Sequence, residues 1–167
     1  MGIFDFLKPK QINTVPKKSH LINKEQPENP TDRPDAKYKI DLDERLKRYR
    51  RESKRQIEAG IDPEPINSVI GYVIQHNAIV DYKNKDFESA KNGLLLAIEK
   101  YEFYSPGGVD YLAKIYRKEK DYQSEIKIIE QGLAYFDSNP ESNWSVSKIE
   151  TLNKRLSKAK ELNNKGE

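Results

Sequence analysis

The chain contains no cysteine, and its 167 residues include only two histidines and one tryptophan. Without cysteine it can form no disulfide, no thiolate nucleophile and no cysteine-ligated zinc site. The two histidines, His20 and His76, stand far apart in sequence, so they do not predict a shared metal site. No glycine-rich phosphate loop, zinc-binding helix motif or nucleophile elbow occurs either. The sequence therefore predicts no catalytic residue, no metal and no cofactor.

Apolar residues are scarce for a chain of this length, since hydrophobic residues make up 35% and charged residues 34%. This composition predicts one packed domain beside a solvated part. The solvated part is the stretch from Pro9 to Lys37, where five prolines interrupt any helix or strand. We divide the chain accordingly into a flexible basic, proline-rich arm (1–38), a charged amphipathic helix (39–60) and a helical domain (61–167).

The arm opens with a short apolar stretch that is followed by several lysines. It is much shorter than the roughly 20 residues that a membrane span needs, and it lacks the basic-then-apolar order of a signal peptide. One interpretation is a hook that inserts apolar side chains into a membrane surface, and the other is a frayed terminus. The hook would consist of Ile3, Phe4, Phe6 and Leu7.

The excess of positive charge lies in the first 60 residues, which hold 15 Lys and Arg against 10 Asp and Glu. Asp41 or Asp43 would cap a helix there, and Gly60 would end it. Its cations would either bind phosphates or anionic lipid, or form a solvated face paired with acidic neighbours. Nucleic acid is disfavoured, because a single aromatic residue is interleaved for base stacking. The basic patch comprises Arg45, Arg48, Arg51 and Arg55, and the apolar face comprises Leu42, Leu46, Tyr49 and Ile57.

A repeat organises the rest of the chain. Asp86-Phe-Glu-Ser89 returns 35 residues later as Asp121-Tyr-Gln-Ser124, and the same shift carries Lys83 onto Lys118. A period of about 34 residues is typical of helix–turn–helix solenoids. The first predicted helix begins at a proline-containing cap (62–65) and runs to about residue 84. Four further helices are predicted, at 86–101, 109–116, 121–136 and about 143–162. A break at 105–108 separates the second from the third.

The repeat resembles the tetratricopeptide family over about residues 66–162. That family has small residues where two helices cross closely and aromatic residues at the turn. The resemblance implies an all-α fold, namely a short helix–turn–helix solenoid in which the last helix, opening with Trp144, is a C-terminal cap. Three residues depart from the pattern: Glu125 stands where the first unit has Ala90, and Asn77 and Asp81 replace an apolar and an aromatic residue. The matching positions are Ala78, Ala90, Ala97, Ala113, Gly132, Phe87, Tyr116 and Tyr122.

The resemblance also implies a concave groove, lined by the first helix of each pair. Lysines beside tyrosines in such a groove suit an acidic or C-terminal peptide. The alternative is a solvated helix face of mixed charge. The groove residues would be Tyr72, Gln75, His76, Ile79 and Lys83 from the first unit and Asp110, Tyr111, Lys114, Arg117 and Lys118 from the second.

We therefore expect a cytoplasmic module that binds a protein or peptide partner, as an adaptor does, and not an enzyme. One alternative is a peripheral membrane or nucleic-acid tether that uses the hook and the basic patch. Another is self-association into a homodimer through the exposed ends of a short solenoid. The composition, rich in lysine and asparagine, favours a bacterial source.

Overall fold

The computed structural model describes residues 38–142 and 144–165, and in this part of the chain every regular element is a helix. The predicted all-α class is confirmed. A short 3₁₀ turn, Pro140–Ser142, precedes the last helix. The helices are α1 (Leu42–Glu58), α2 (Ile66–Lys83), α3 (Phe87–Tyr101), α4 (Pro106–Glu119), α5 (Tyr122–Ser138) and α6 (Val146–Lys165).

Helix α1 begins and ends where the sequence predicts. The Asp41 carboxylate accepts a hydrogen bond from the Glu44 main-chain N–H at 2.8 Å, so Asp41 is the cap and Asp43 is not. Gly60 follows the helix with a φ of +72°, a conformation that glycine adopts without strain. The predicted apolar face is wrong at Ile57, which is 64% exposed. Ser53 is buried instead, because its hydroxyl donates to the Tyr49 carbonyl and so needs no water.

Two helical hairpins, α2–α3 and α4–α5, follow with turns of the same geometry. Lys85 and Lys120, which the 35-residue shift superimposes, both have positive φ, at 68° and 60°. The next residue in each turn, Asp86 or Asp121, caps the following helix by accepting the main-chain N–H three residues on. The predicted caps are confirmed. The repeat therefore extends from the residue pattern to the backbone dihedrals of the turn.

Three predicted helix starts are wrong. Helix α2 begins after Pro65 without a side-chain cap, so Asp62 does not cap it. Helix α4 begins at Pro106, inside the predicted break, because the Ser105 hydroxyl accepts the Gly108 N–H at 3.0 Å and proline fits the first position of a helix. Helix α6 begins at Val146, so Trp144 precedes it and donates its indole N–H to the Asn139 carbonyl.

The hydrophobic core runs through both hairpins and extends into α6. Close approach of the helices depends on small residues: a Cβ added to Gly93 would lie 2.7 Å from the Cβ of Ala78. Helix α6 contributes Leu152, which is fully buried against this core. The core comprises Ala78, Ile79, Ala90, Leu94, Ile98, Val109, Leu112, Ala113, Ile115, Ile128, Ile129, Phe136 and Leu152.

Candidate functional site

A cleft of about 820 Å³ lies between α1 and α2, and we call it the arginine cleft. Because α1 ends at Glu58 and α2 begins at Ile66, the two helices are joined by a short proline-containing connection. The cleft brings together three of the four predicted basic-patch residues, of which Arg45 is half-buried and Arg48 and Arg55 are exposed. Arg51 lies elsewhere on α1. It is lined by Lys39, Ile40, Asp41, Glu44, Arg45, Arg48, Glu52, Arg55, Gln56 and Tyr72.

Two of the cleft arginines have no ion-pair partner in the described part of the chain, namely Arg48 and Arg55. Arg45, by contrast, pairs with Glu52 at 3.2 Å. Arg48 and Arg55 are seven residues apart, which is two turns of α1, so they project from the same side of the helix. A guanidinium group presents a planar fork of N–H donors that matches a carboxylate. The cleft therefore offers two positions for anionic groups, about 10 Å apart along the axis of α1.

The first-unit groove residues do not share one open surface. Gln75, His76 and Ile79 are 1%, 7% and 0% exposed, so the prediction that they face a groove is wrong for all three. Gln75 is buried because its amide exchanges hydrogen bonds with the Ser105 hydroxyl at the start of α4. Tyr72 is half-buried and forms a wall of the arginine cleft, with its ring 6.1 Å from that of His76. Lys83 is exposed at the end of α2.

The second-unit groove residues lie close together on α4, but most of their charges are already paired. Lys114 forms an ion pair with Asp110 at 2.6 Å, and its ammonium lies 4.7 Å from the centre of the Tyr111 ring. Arg117 binds Glu125 of α5. Lys118 is exposed with its ammonium over the Phe87 ring. This face is therefore largely neutralised within the molecule, which weakens it as a site for an acidic peptide.

Arg155 of α6 was not predicted as a functional residue, and it completes this charge network. Its Nε donates to Asp110 at 2.9 Å, and its Nη1 lies 3.7 Å from the Glu125 carboxylate. Glu125 is 0% exposed and so lies between two guanidinium groups. Glu125 departs from the repeat, and this departure was the sequence signal for the charge network. A carboxylate at a core position requires a cation nearby.

Residues 38–40 lie along α2, and we call them the strap. The side-chain amide of Asn77 accepts the Ile40 N–H at 2.7 Å and donates to the Ile40 carbonyl at 3.0 Å. Lys39 forms an ion pair with Asp81 at 2.7 Å. Asn77 and Asp81 are the two α2 residues that depart from the repeat pattern. These departures were a sequence signal for a contact specific to α2.

A second cleft, of about 500 Å³, opens between α3 and α5. The rings of Tyr104 and Tyr135 stack there at 4.6 Å, and Tyr116 lies in its floor. Burial raises the pKa of both Tyr104 and Tyr116, so these phenols ionise only at a higher pH than a solvated tyrosine does. The Lys91 ammonium already lies over the Tyr116 ring, 4.6 Å from the ring centre, in a cation–π contact. Glu99, Glu102 and Lys127 also line this cleft, so it offers one cation beside two carboxylates and has no pair of cations like Arg48 and Arg55.

The described residues contain no cluster of side chains that could hold a metal ion. Among the helices described above, none is long and apolar enough to cross a membrane. The predicted hook, Ile3 to Leu7, lies outside the described residues. No protein-family model, curated protein or solved structure matches this chain.

Proposed function

We propose that this chain is a helical-repeat interaction module that captures an acidic segment of a partner protein in the arginine cleft. The observation that carries the proposal is the pair Arg48 and Arg55, which line a cleft of about 820 Å³ without an ion-pair partner in the described residues. Guanidinium groups bind carboxylates through charge-assisted hydrogen bonds that are stronger than neutral ones. Tyr72 supplies an aromatic wall for the apolar part of such a segment.

The proposed architecture is a short tetratricopeptide-like solenoid. Support comes from the two hairpin turns, in which Asp86 and Asp121 donate their N–H groups at 3.0 Å to carbonyls five residues earlier. Support also comes from α6, which covers the end of the second hairpin with the buried residues Leu152 and Ala159. Short solenoids need such terminal caps, because each repeat buries its apolar face only against a neighbour. A role as an adaptor without enzymatic activity, in the cytoplasm, follows as part of the proposal.

The acidic residues in the cleft favour a protein partner over nucleic acid. Asp41, Glu44 and Glu52 line the same cleft as the arginines. A nucleic-acid backbone carries a regular series of phosphates, and some of these would meet the carboxylates. A peptide with separated acidic residues can pair with Arg48 and Arg55 and avoid them. The cleft thus discriminates by repulsion as well as by attraction.

The test compares two charge-reversal variants that differ by one position along α1. Arg48→Glu/Arg55→Glu changes the cleft, whereas Lys47→Glu/Lys54→Glu makes the same change of net charge, at the same seven-residue spacing, on exposed residues outside the cleft. The full chain and both variants serve as baits in lysate from the source cells. Purified candidates then yield dissociation constants by isothermal titration calorimetry.

We expect a genuine partner to bind the wild type and the Lys47/Lys54 variant with equal affinity. Its affinity for the Arg48/Arg55 variant should be at least about tenfold lower, because the charge-assisted contacts are lost. Equal loss in both variants would instead indicate non-specific attraction by the basic helix. Parallel sedimentation with duplex DNA and with anionic vesicles tests the tether alternative. Light scattering over a concentration series tests the homodimer.

A further inference from the structure

The strap is held on α2 through its main chain. Both polar main-chain groups of Ile40 bind Asn77, and the Tyr38 carbonyl lies 3.1 Å from Nε2 of His76. A carbonyl only accepts hydrogen bonds, so Nε2 carries the proton in this contact. These three contacts involve no side chain of the strap, so another extended segment with a main-chain N–H at the position of Ile40 could form them.

The only strap side chain that α2 recognises by charge is Lys39, through Asp81. The Tyr38 side chain is 81% exposed, so no aromatic anchor holds the strap in place. Moreover, the strap leaves α2 incompletely satisfied: Nδ1 of His76 is buried and has no hydrogen-bond partner among the described residues. An unsatisfied buried nitrogen costs free energy. The strap is therefore held by main-chain hydrogen bonds, one ion pair and the half-buried Ile40, and it leaves one acceptor of the site unused.

We propose that His76, Asn77 and Asp81 form a second binding site, for an extended segment of a partner that carries a lysine or arginine, and that the strap occupies this site in cis. In an extended backbone the N–H and C=O groups of one residue point to the same side. The Asn77 amide can therefore bind both groups of a single residue, as it does with Ile40. Asp81 selects a cation at the position of Lys39. The partner segment must displace the strap, so its apparent affinity is lowered by the strap.

This site is separate from Arg48 and Arg55, and the inference does not depend on the proposed function. The two surfaces nevertheless adjoin, because Lys39 and Ile40 also line the arginine cleft. Displacement of the strap would join them into one longer surface. An acidic segment at the arginines and a basic residue at Asp81 would then belong to the same partner or to two different ones.

The experiment uses the full chain and a fluorescein-labelled peptide with the sequence of residues 36–42. Ile40→Pro removes the N–H that Asn77 accepts, and Lys39→Glu places a like charge against Asp81. Both variants should release the strap and bind the peptide at least about tenfold more tightly than the wild type does. Asn77→Ala, added to either variant, should abolish this gain, whereas Asn92→Ala on the exposed face of α3 should leave it unchanged.

The proposal is overturned if neither strap variant binds the peptide more tightly than the wild type, or if Asn77→Ala leaves the gain intact. A peptide with glutamate in place of its Lys39 must also fail to bind. Circular dichroism checks that each variant remains helical, and if Ile40→Pro unfolds the chain, the Lys39→Glu measurement decides. Because Arg48 and Arg55 stay intact throughout, a negative result here leaves the proposed function standing.

Discussion

Arg117 donates two hydrogen bonds to the buried carboxylate of Glu125, from Nε at 2.5 Å and from Nη2 at 2.8 Å. The 35-residue shift places these residues on Tyr82 and Ala90 of the first hairpin. The second hairpin thus contains an ion pair where the first has an aromatic ring and a methyl group. Arg155 joins the pair from α6, so the charges connect three helices.

Glu125→Ala is expected to lower the free energy of unfolding by about 3 kcal/mol, because it leaves a partly buried guanidinium without its partner. The double variant Arg117→Tyr/Glu125→Ala installs the first hairpin's residues in the second, and it should lose less than half as much. Urea unfolding followed by circular dichroism measures both. Equal losses in the single and double variants would show that the ion pair itself, and not an uncompensated charge, determines the stability.

Gly108→Ala should destabilise the chain by about 1–3 kcal/mol, since overpacking a buried helix crossing has costs of this size. A Cβ at Gly108 would overlap the amide group of Gln75, which is 1% exposed and bonded to Ser105. The amide therefore cannot move aside without losing a buried hydrogen bond. The check is the double variant Gly108→Ala/Gln75→Ala: its loss in urea unfolding should be smaller than the sum of the two single losses, and simple additivity would contradict the proposed overlap.

The cap of α5 should make stability depend on pH. The Ser124 hydroxyl and main-chain N–H donate to the Asp121 carboxylate and hold its pKa below the ordinary value of 3.8. The folded state therefore favours the charged form. This contribution is complete above the unfolded pKa and is lost as the pH falls through the lower folded pKa.

Asp121→Asn keeps a cap acceptor but removes the titration, so its stability should fall less steeply than that of the wild type as the pH drops from about 5 to about 3. Ser124→Ala removes one donor and should show an intermediate slope. Urea unfolding at a series of pH values measures all three proteins. Parallel curves for wild type and Asp121→Asn would refute the assignment.

Features that depend on local chain chemistry were predictable from the sequence. The caps Asp86 and Asp121 and the stop at Gly60 each follow from a residue type at a helix end. The start of α4 was missed, although Ser105 followed by Pro106 is itself a helix-start signal, because the glycines after them suggested a break. In that case glycine is present for close contact with Gln75 and not for a turn.

The candidate site was less predictable, because it depends on how α1 lies against α2. The basic patch and Tyr72 were predicted as parts of separate sites, and the arginine cleft brings Tyr72 together with every basic-patch residue except Arg51. Periodicity could not show that Gln75 and Ile79 are buried, since that depends on contact with α4 and the core. The departures at Asn77, Asp81 and Glu125 were visible in the sequence. They mark contacts made outside the repeat, where no repeat pattern can identify the partner.

Leu152→Ala tests whether α6 is a cap that separates before the hairpins unfold. Leu152 is fully buried, so the change should cost about 2–5 kcal/mol, mostly in the contact of α6 with α5. Trp144, the only tryptophan, lies 4.9 Å from the Phe136 ring at this junction and reports on it by fluorescence. In the variant, the fluorescence transition should occur at a lower urea concentration than the circular dichroism transition. Thr151→Ala, at the exposed neighbouring position, is the control and should leave the fluorescence and circular dichroism transitions at the same urea concentration. If the two transitions also coincide in Leu152→Ala, α6 unfolds as one unit with the hairpins.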